Sequence, residues 1–170
     1  MSFSTDIKEE LSRVNNWKDK EILAGEFFGY ILTGNTLDDK NSLQFITENE
    51  FNIERFYKIL FNLQIDYEPS VRGKVFVAKI IKNENTQKYL QINMSQNQEI
   101  QKAIVKGAFM GSGSITNPEK QYHLEISFQE KNNAEYVLNI CKSFGVYLKV
   151  LEQEEKILLY IKDSEEISKF

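Results

Sequence analysis

The amino-acid sequence repeats itself, and self-similarity at a fixed spacing constrains a fold more than any single motif. Residues 42–65 (SLQFITENEFNIERFYKILFNLQI) lie without a gap over residues 123–146 (HLEISFQEKNNAEYVLNICKSFGV). Apolar positions coincide along the overlay: Leu43 with Leu124, Phe45 with Ile126, Phe56 with Val137, Tyr57 with Leu138, Ile59 with Ile140 and Leu63 with Phe144. Alternation at the start of each copy predicts a strand, and the 3.6-residue period that follows predicts a helix. Upstream, FFGYILTGNTL at 27–37 resembles VKGAFMGSGSI at 105–115. Downstream, EPSVRGKVFVAKII at 68–81 and LKVLEQEEKILLYI at 148–161 each read as a hairpin, turning at Pro69 and Gly73 in the first copy and at Gln153-Glu154-Glu155 in the second.

Each copy therefore predicts helix, strand, helix, hairpin, giving an α+β fold with pseudo-two-fold symmetry. The expected boundaries are one domain over 1–170, with a first repeat at 17–82, a polar connector at 83–100 and a second repeat at 101–163. Residues 164–170 open a further helix with Ile167 and Phe170 as apolar positions. An amphipathic helix over about residues 3–14 precedes the repeats, with Phe3, Ile7 and Leu11 on one stripe.

Glycine spacing adds a second constraint. Gly29 and Thr33, and likewise Gly107 and Gly111, stand one helical turn apart on one face. Small residues so placed let two helix backbones approach closely. The plain alternative is that each glycine is merely tolerated, at about 1 kcal/mol relative to alanine. The matching positions in both copies favour a close-packed helix pair.

Composition limits the functional classes. A chain of 170 residues buries enough surface to fold without a disulfide or metal. The single cysteine, Cys141, lies in an apolar helical run and reads as a core residue, with a reactive thiol as the alternative. No stretch approaches the ~18 apolar residues of a membrane span, and the N-terminus lacks an apolar signal core. A soluble cytoplasmic protein is expected, with no membrane partner. The net charge of −4 counts against strong nonspecific nucleic-acid binding. There is no zinc-ligand spacing, P-loop or dinucleotide fingerprint, so neither metal nor cofactor is expected. The sole histidine, His123, sits in QYHLEISF, where Tyr122, Leu124, Ile126 and Phe128 share one face and His123, Glu125 and Ser127 the other. It reads as a structural hydrogen-bonding residue or as a contact on an open sheet face.

Residues 27–37 and 105–115 resemble the signature helices of LAGLIDADG homing endonucleases. The segment KGAFMGSGSITNPEKQYHLEI at 106–126 resembles the hallmark segment of the WhiA family, and MSFSTDIKEELSR and YIKDSEEISKF also resemble that family. The resemblance covers essentially the whole chain and is weakest in the middle. It implies two antiparallel sheets forming a saddle over DNA, with a central pair of closely packed helices. In LAGLIDADG nucleases the last acid of each signature binds divalent metal beside the scissile phosphates. Such cations require oxygen ligands, usually carboxylates. The matching positions are Gly34 and Ser112, and neither supplies one. The resemblance thus implies a non-enzyme; an active homing endonuclease, rescued by Asp38, Asp39 or Glu119 from the following loops, is a remote alternative.

WhiA proteins couple this domain to a C-terminal helix-turn-helix domain thought to make the main sequence-specific DNA contacts. They act in sporulation, cell division and chromosome-related control. A regulatory protein partner and a nucleoid-associated location are further implied expectations. The sequence stops at Phe170, and the expectation is an excised N-terminal domain without its helix-turn-helix partner, with a natural short form as the alternative. Candidate contacts for DNA or a protein on the open sheet face are Arg72, Lys74, His123, Lys149, Lys156 and Tyr160, with Tyr147 nearby. Glu48, Asp66, Glu68, Glu125, Glu152, Glu154 and Glu155 lie on or beside the same strands and are expected at least to cancel the bases. DNA is therefore expected as a weak partner, and a protein-interaction or positioning module without useful DNA affinity is the alternative.

Overall fold

The structure, a computed structural model, describes residues 3–33, 36–38, 42–90, 97–116, 123–162 and 170. The first repeat runs α2 (Lys20–Ile31), β1 (Thr36–Asp38), β2 (Ser42–Thr47), α3 (Glu50–Asn62), β3 (Tyr67–Arg72) and β4 (Val75–Ile81). The second runs α5 (Gln98–Ser112), β5 (Gly113–Ile115), β6 (Leu124–Phe128), α6 (Lys131–Ser143), β7 (Lys149–Glu152) and β8 (Ile157–Ile161). Helix α1 (Phe3–Ser12) precedes them, and a short α4 (Glu84–Tyr89) lies between them. Among the described residues no helix is long and apolar enough to cross a membrane.

Two four-stranded antiparallel sheets result, ordered β1-β2-β4-β3 and β5-β6-β8-β7. The short first strand of each sheet is absent from the helix-strand-helix-hairpin reading, because three residues are too few to establish alternation. Asp38 consequently ends β1 instead of lying in a loop. Registers of the two sheets coincide under the sequence overlay: Leu43 pairs with Ile80 as Leu124 pairs with Ile161, and Glu68 pairs with Lys79 as Lys149 pairs with Tyr160.

Each sheet buries alternate residues against its own helix. The first core joins Phe27 and Tyr30 of α2, Phe45 of β2 and Phe56 of α3, whose rings meet at centroid distances such as 4.7 Å for Tyr30–Phe56 and 5.0 Å for Tyr30–Phe45. The second joins Ile126, Phe128, Val137, Cys141 and Leu159. Cys141 is buried, and burial pushes its thiol up to about 12, as expected for a packing residue. The central helices cross-contribute: Met110 of α5 sits in the first core, while Phe28 of α2 and Leu32, which caps it, sit in the second.

The overlay extends to backbone conformation. Helices α3 and α6 both end in a left-handed residue, Gln64 (φ 58°) and Gly145 (φ 80°). The next residues, Ile65 and Val146, donate back to Leu60 O and Cys141 O at 2.9 Å each, a helix-ending motif that favours glycine at the left-handed position. Gln64→Gly should therefore raise stability by about 0.5–1 kcal/mol in urea denaturation. A loss of similar size would show that the Gln64 side chain contributes more than its backbone strain costs.

Candidate functional site

Helices α2 and α5 touch backbone to backbone. A Cβ built on Gly29 would lie 2.0 Å from Ile104 O, and one built on Gly107 would lie 2.0 Å from Glu26 O. One turn further, a Cβ on Gly111 would meet Thr33 Oγ1 at 2.6 Å, and that hydroxyl donates to Tyr30 O at 2.8 Å. Gly25 extends the contact in the other direction, where an added Cβ would lie 2.9 Å from Ile100 O. Its signal was available in the sequence as small residues every fourth position, Gly25, Gly29 and Thr33 against Ala103, Gly107 and Gly111.

A buried charge network flanks this contact. Arg55 of α3 donates to both carboxylate oxygens of Glu26 on α2, at 2.5 and 2.9 Å, with both side chains fully buried. Its remaining donors reach Ser12 O at 3.1 Å, Val14 O at 2.8 Å and Asn16 Oδ1 at 3.1 Å, and it lies 4.8 Å from the centre of the Trp17 ring. Lys106 of α5 approaches Glu26 at 3.4 Å; burial lowers its pKa and the Glu26 charge opposes that shift. The network joins α1, α2, α3 and α5. The second repeat places Ile104 and Tyr136 at the matching positions, so repeat logic alone does not reveal it.

The base of α5 holds Ser112. Its hydroxyl donates to Ser127 O on β6 at 2.7 Å, tying the helix end to the sheet. A hydroxyl so engaged does not replace a metal-binding carboxylate, and the described residues contain no group of three or more histidine, cysteine or acidic side chains able to hold a metal. Ser112 therefore brings no carboxylate to the base of α5. Gly34, Asp39 and Glu119 lie outside the described residues, as does Tyr122.

The faces of the sheets away from the helices carry the remaining candidates. His123 stands just before β6; its Nε2 is 3.0 Å from Glu125 Oε2, and its ring stacks on Tyr160 at 6.3 Å. Tyr160 pairs in register with Lys149, so His123, Tyr160 and Lys149 come together. Arg72 ends β3 and Lys74 lies in the adjoining turn, whereas Lys156 occupies the β7–β8 turn. These three sit at hairpin tips, apart from the His123 group.

Register changes the charge balance expected from sequence. Glu152 pairs with Ile157 on the helix side of its sheet and meets Lys131 of α6 at 3.2 Å. Glu48 lies outside the strands and Glu154 and Glu155 lie in a turn, whereas Asp66, just before β3, accepts from Ile81 N at 3.0 Å and so continues the pairing on the side of Glu68. Of the seven acids, Glu68, Glu125 and the flanking Asp66 remain on the open faces. Alternation opposite Phe76, Ala78 and Ile80 places Lys79 on that face, and Lys162 lies 6.0 Å from the Tyr160 ring. Sequence reasoning missed both, although the period-2 pattern of VFVAKII marked Lys79. Among the described residues, Arg72, Lys79, Lys149 and the flanking Lys162 therefore face three carboxylates, Asp66, Glu68 and Glu125.

Residues 101–170 match the family described as the WhiA LAGLIDADG-like domain. The chain is 28% identical to the "Probable cell division protein WhiA" of Lachnospira eligens, over 99% of its own length and 62% of the relative's. It is 29% identical to the protein of that name from Staphylococcus haemolyticus, over 100% of its own length and again 62% of the relative's. The chain thus spans 62% of the length of these relatives. Full-length DUF199/WhiA from Thermatoga maritima superposes with a TM-score of 0.86 at 24% identity, over 99% of this chain and 60% of that one. I-DmoI in complex with DNA and Mn superposes with a TM-score of 0.63 at 17% identity, over 88% of this chain and 94% of that one. The fold is thus the LAGLIDADG fold of the WhiA N-terminal domain, as the resemblance implied.

Proposed function

We propose that this chain, with the LAGLIDADG fold of the WhiA N-terminal domain, is a non-catalytic DNA-associated domain of a bacterial cytoplasmic regulator. Its whole protein acts in cell division, chromosome segregation or sporulation. The observation that carries the reading is the open sheet face, where Arg72, Lys79, Lys149 and Lys162 outnumber Asp66, Glu68 and Glu125 among the described residues. Cations at strand spacing suit the phosphate backbone, and phosphate contacts position a duplex without reading its sequence. With few such contacts on a chain of net charge −4, binding is weak and strongly salt-dependent. Sequence-specific recognition falls to a helix-turn-helix domain of the longer protein.

Ser112 supports a reading without cleavage, since its hydroxyl donates to Ser127 O at the position where the resemblance has a nuclease present a carboxylate. Incubation of supercoiled plasmid with the protein and magnesium or manganese should leave it uncut. Discrete double-strand cuts that vanish on Asp38→Asn, Asp39→Asn or Glu119→Gln would overturn the reading. The acidic composition favours a second reading, a protein-interaction module, which predicts no salt-dependent affinity for duplex at all.

A further inference from the structure

The outermost strand of a sheet carries backbone groups with no ladder partner, and an exposed edge of this kind recruits further strands. Bonded pairs recur at every second residue of an antiparallel ladder, so one bond fixes which residues turn outward. In the second sheet Thr116 donates to His123 O at 2.8 Å, which turns the N–H and C=O of Ile115 outward from β5. The Ser4 hydroxyl takes both, accepting from Ile115 N at 2.5 Å and donating to Ile115 O at 2.9 Å. In the first sheet Ile81 donates to Asp66 O at 3.0 Å, which turns Tyr67, Pro69 and Val71 outward from β3. Pro69, at the centre of that edge, has no N–H to offer.

Strand β7 differs from both. Gln153 donates to Lys156 O at 2.8 Å, so Lys149 and Leu151 bond to β8 while Val150 and Glu152 turn their N–H and C=O outward. The matching registers set Val150 over Pro69, so the edge that proline blunts in the first repeat stays open in the second. All four residues of β7 are exposed, including the apolar Val150 at 46% and Leu151 at 45%, and among the described residues β8 is its one strand neighbour. Charge along the edge favours an antiparallel copy of the same strand. It begins at Lys149 and runs through Glu152 to the turn acids Glu154 and Glu155. A two-fold axis at Val150 sets the outward N–H and C=O of Val150 in each copy against those of the other, and Lys149 against Leu151. Parallel pairing would stack lysine on lysine and glutamate on glutamate, which is unfavourable.

We propose that β7 is a self-association edge, at which two copies of this chain pair antiparallel through Val150 and join their β5-β6-β8-β7 sheets into one continuous sheet. The contact is isologous, each copy using the same patch. The open faces of both copies then lie on one side of the joined sheet, with a Lys149 on either side of the seam. A four-residue edge buries less than the ~800 Å² per partner of a standard interface, so the dimer is weak.

Sedimentation equilibrium of the protein without DNA, between about 5 and 500 μM, tests this and should give a monomer–dimer Kd of about 50 μM. Val150→Pro removes an outward N–H and no bond to β8, so the variant should fold and dimerise at least about tenfold more weakly. Val150→Lys, which sets ammonium against ammonium across the axis, should weaken dimerisation as much. Val71→Pro removes an outward N–H from β3 and should leave the Kd unchanged. Thermal melts establish that the variants are folded. Over the same concentrations the Val150 amide should exchange with solvent more slowly as the dimer fills. A protein still monomeric at about 500 μM, its edge left to a strand from a different chain, would overturn the proposal. So would a dimer indifferent to both folded Val150 variants, or one weakened equally by Val71→Pro.

Discussion

Gly107→Ala is expected to destabilise the fold by about 3 kcal/mol or more, lowering the melting temperature by roughly 10 °C in a chain of this size. The added methyl would sit 2.0 Å from Glu26 O, with Gly29 Cα 3.0 Å away, so backbone must move against backbone. A clash with a flexible side chain could relax; this one has to separate two helices that carry residues of both cores. Gly29→Ala should behave alike, with its Cβ 2.0 Å from Ile104 O, while Gly25→Ala, at 2.9 Å from Ile100 O, should cost less. The sign is decisive. If the glycines were merely tolerated in their helices, alanine would stabilise by about 1 kcal/mol through propensity alone. Urea denaturation of the three variants separates the two accounts by direction as well as by size.

Arg55→Met should cost about 3–5 kcal/mol, the usual result of breaking a buried ion pair by removing one partner. The substitution leaves the buried Glu26 carboxylate with Lys106 at 3.4 Å and removes the donors to Ser12 O and Val14 O that hold the end of α1. Glu26→Gln should cost less, because Arg55 keeps those carbonyls, Asn16 and the Trp17 ring. The second repeat supplies a control. Grafting its residues as Glu26→Ile with Arg55→Tyr replaces both charges together, and the double variant should be more stable than Arg55→Tyr alone, with coupling of about 0.5–3 kcal/mol. Strict additivity would show that the two side chains contribute independently.

Much of this architecture was legible in the sequence because residues 42–65 lie without a gap over 123–146, and burial imposes the same alternation on both copies; the register then extends that overlay to Ile80 and Ile161. Gly29 and Gly107 were legible for a related reason, since small residues at turn spacing recur at matching positions. What escaped was what the repeat does not share. Glu26 and Arg55 lie on different helices, 29 residues apart, and only folding reveals that they satisfy each other. Strands β1 and β5 escaped because three residues carry almost no period. The open face was half legible. His123 and Tyr160 were recognised, but Lys79 and Lys162 were not, and acids such as Glu152 were charged to the wrong face until register assigned them. Chain proximity counts charges near a strand; a binding surface depends on which side of the strand they occupy.

The central claim, that the open sheet faces hold duplex DNA through phosphates, rests most directly on the salt dependence of binding. Fluorescence anisotropy of a labelled duplex of about 30 base pairs, titrated with the protein between about 50 and 200 mM salt, should give log K falling against log salt with a slope of about −3. Replacing Lys79 and Lys149 together by glutamine should make that slope shallower by about 2 while leaving the melting temperature unchanged. Absence of measurable affinity at the low-salt end, or binding whose slope ignores the loss of both lysines, would contradict the account.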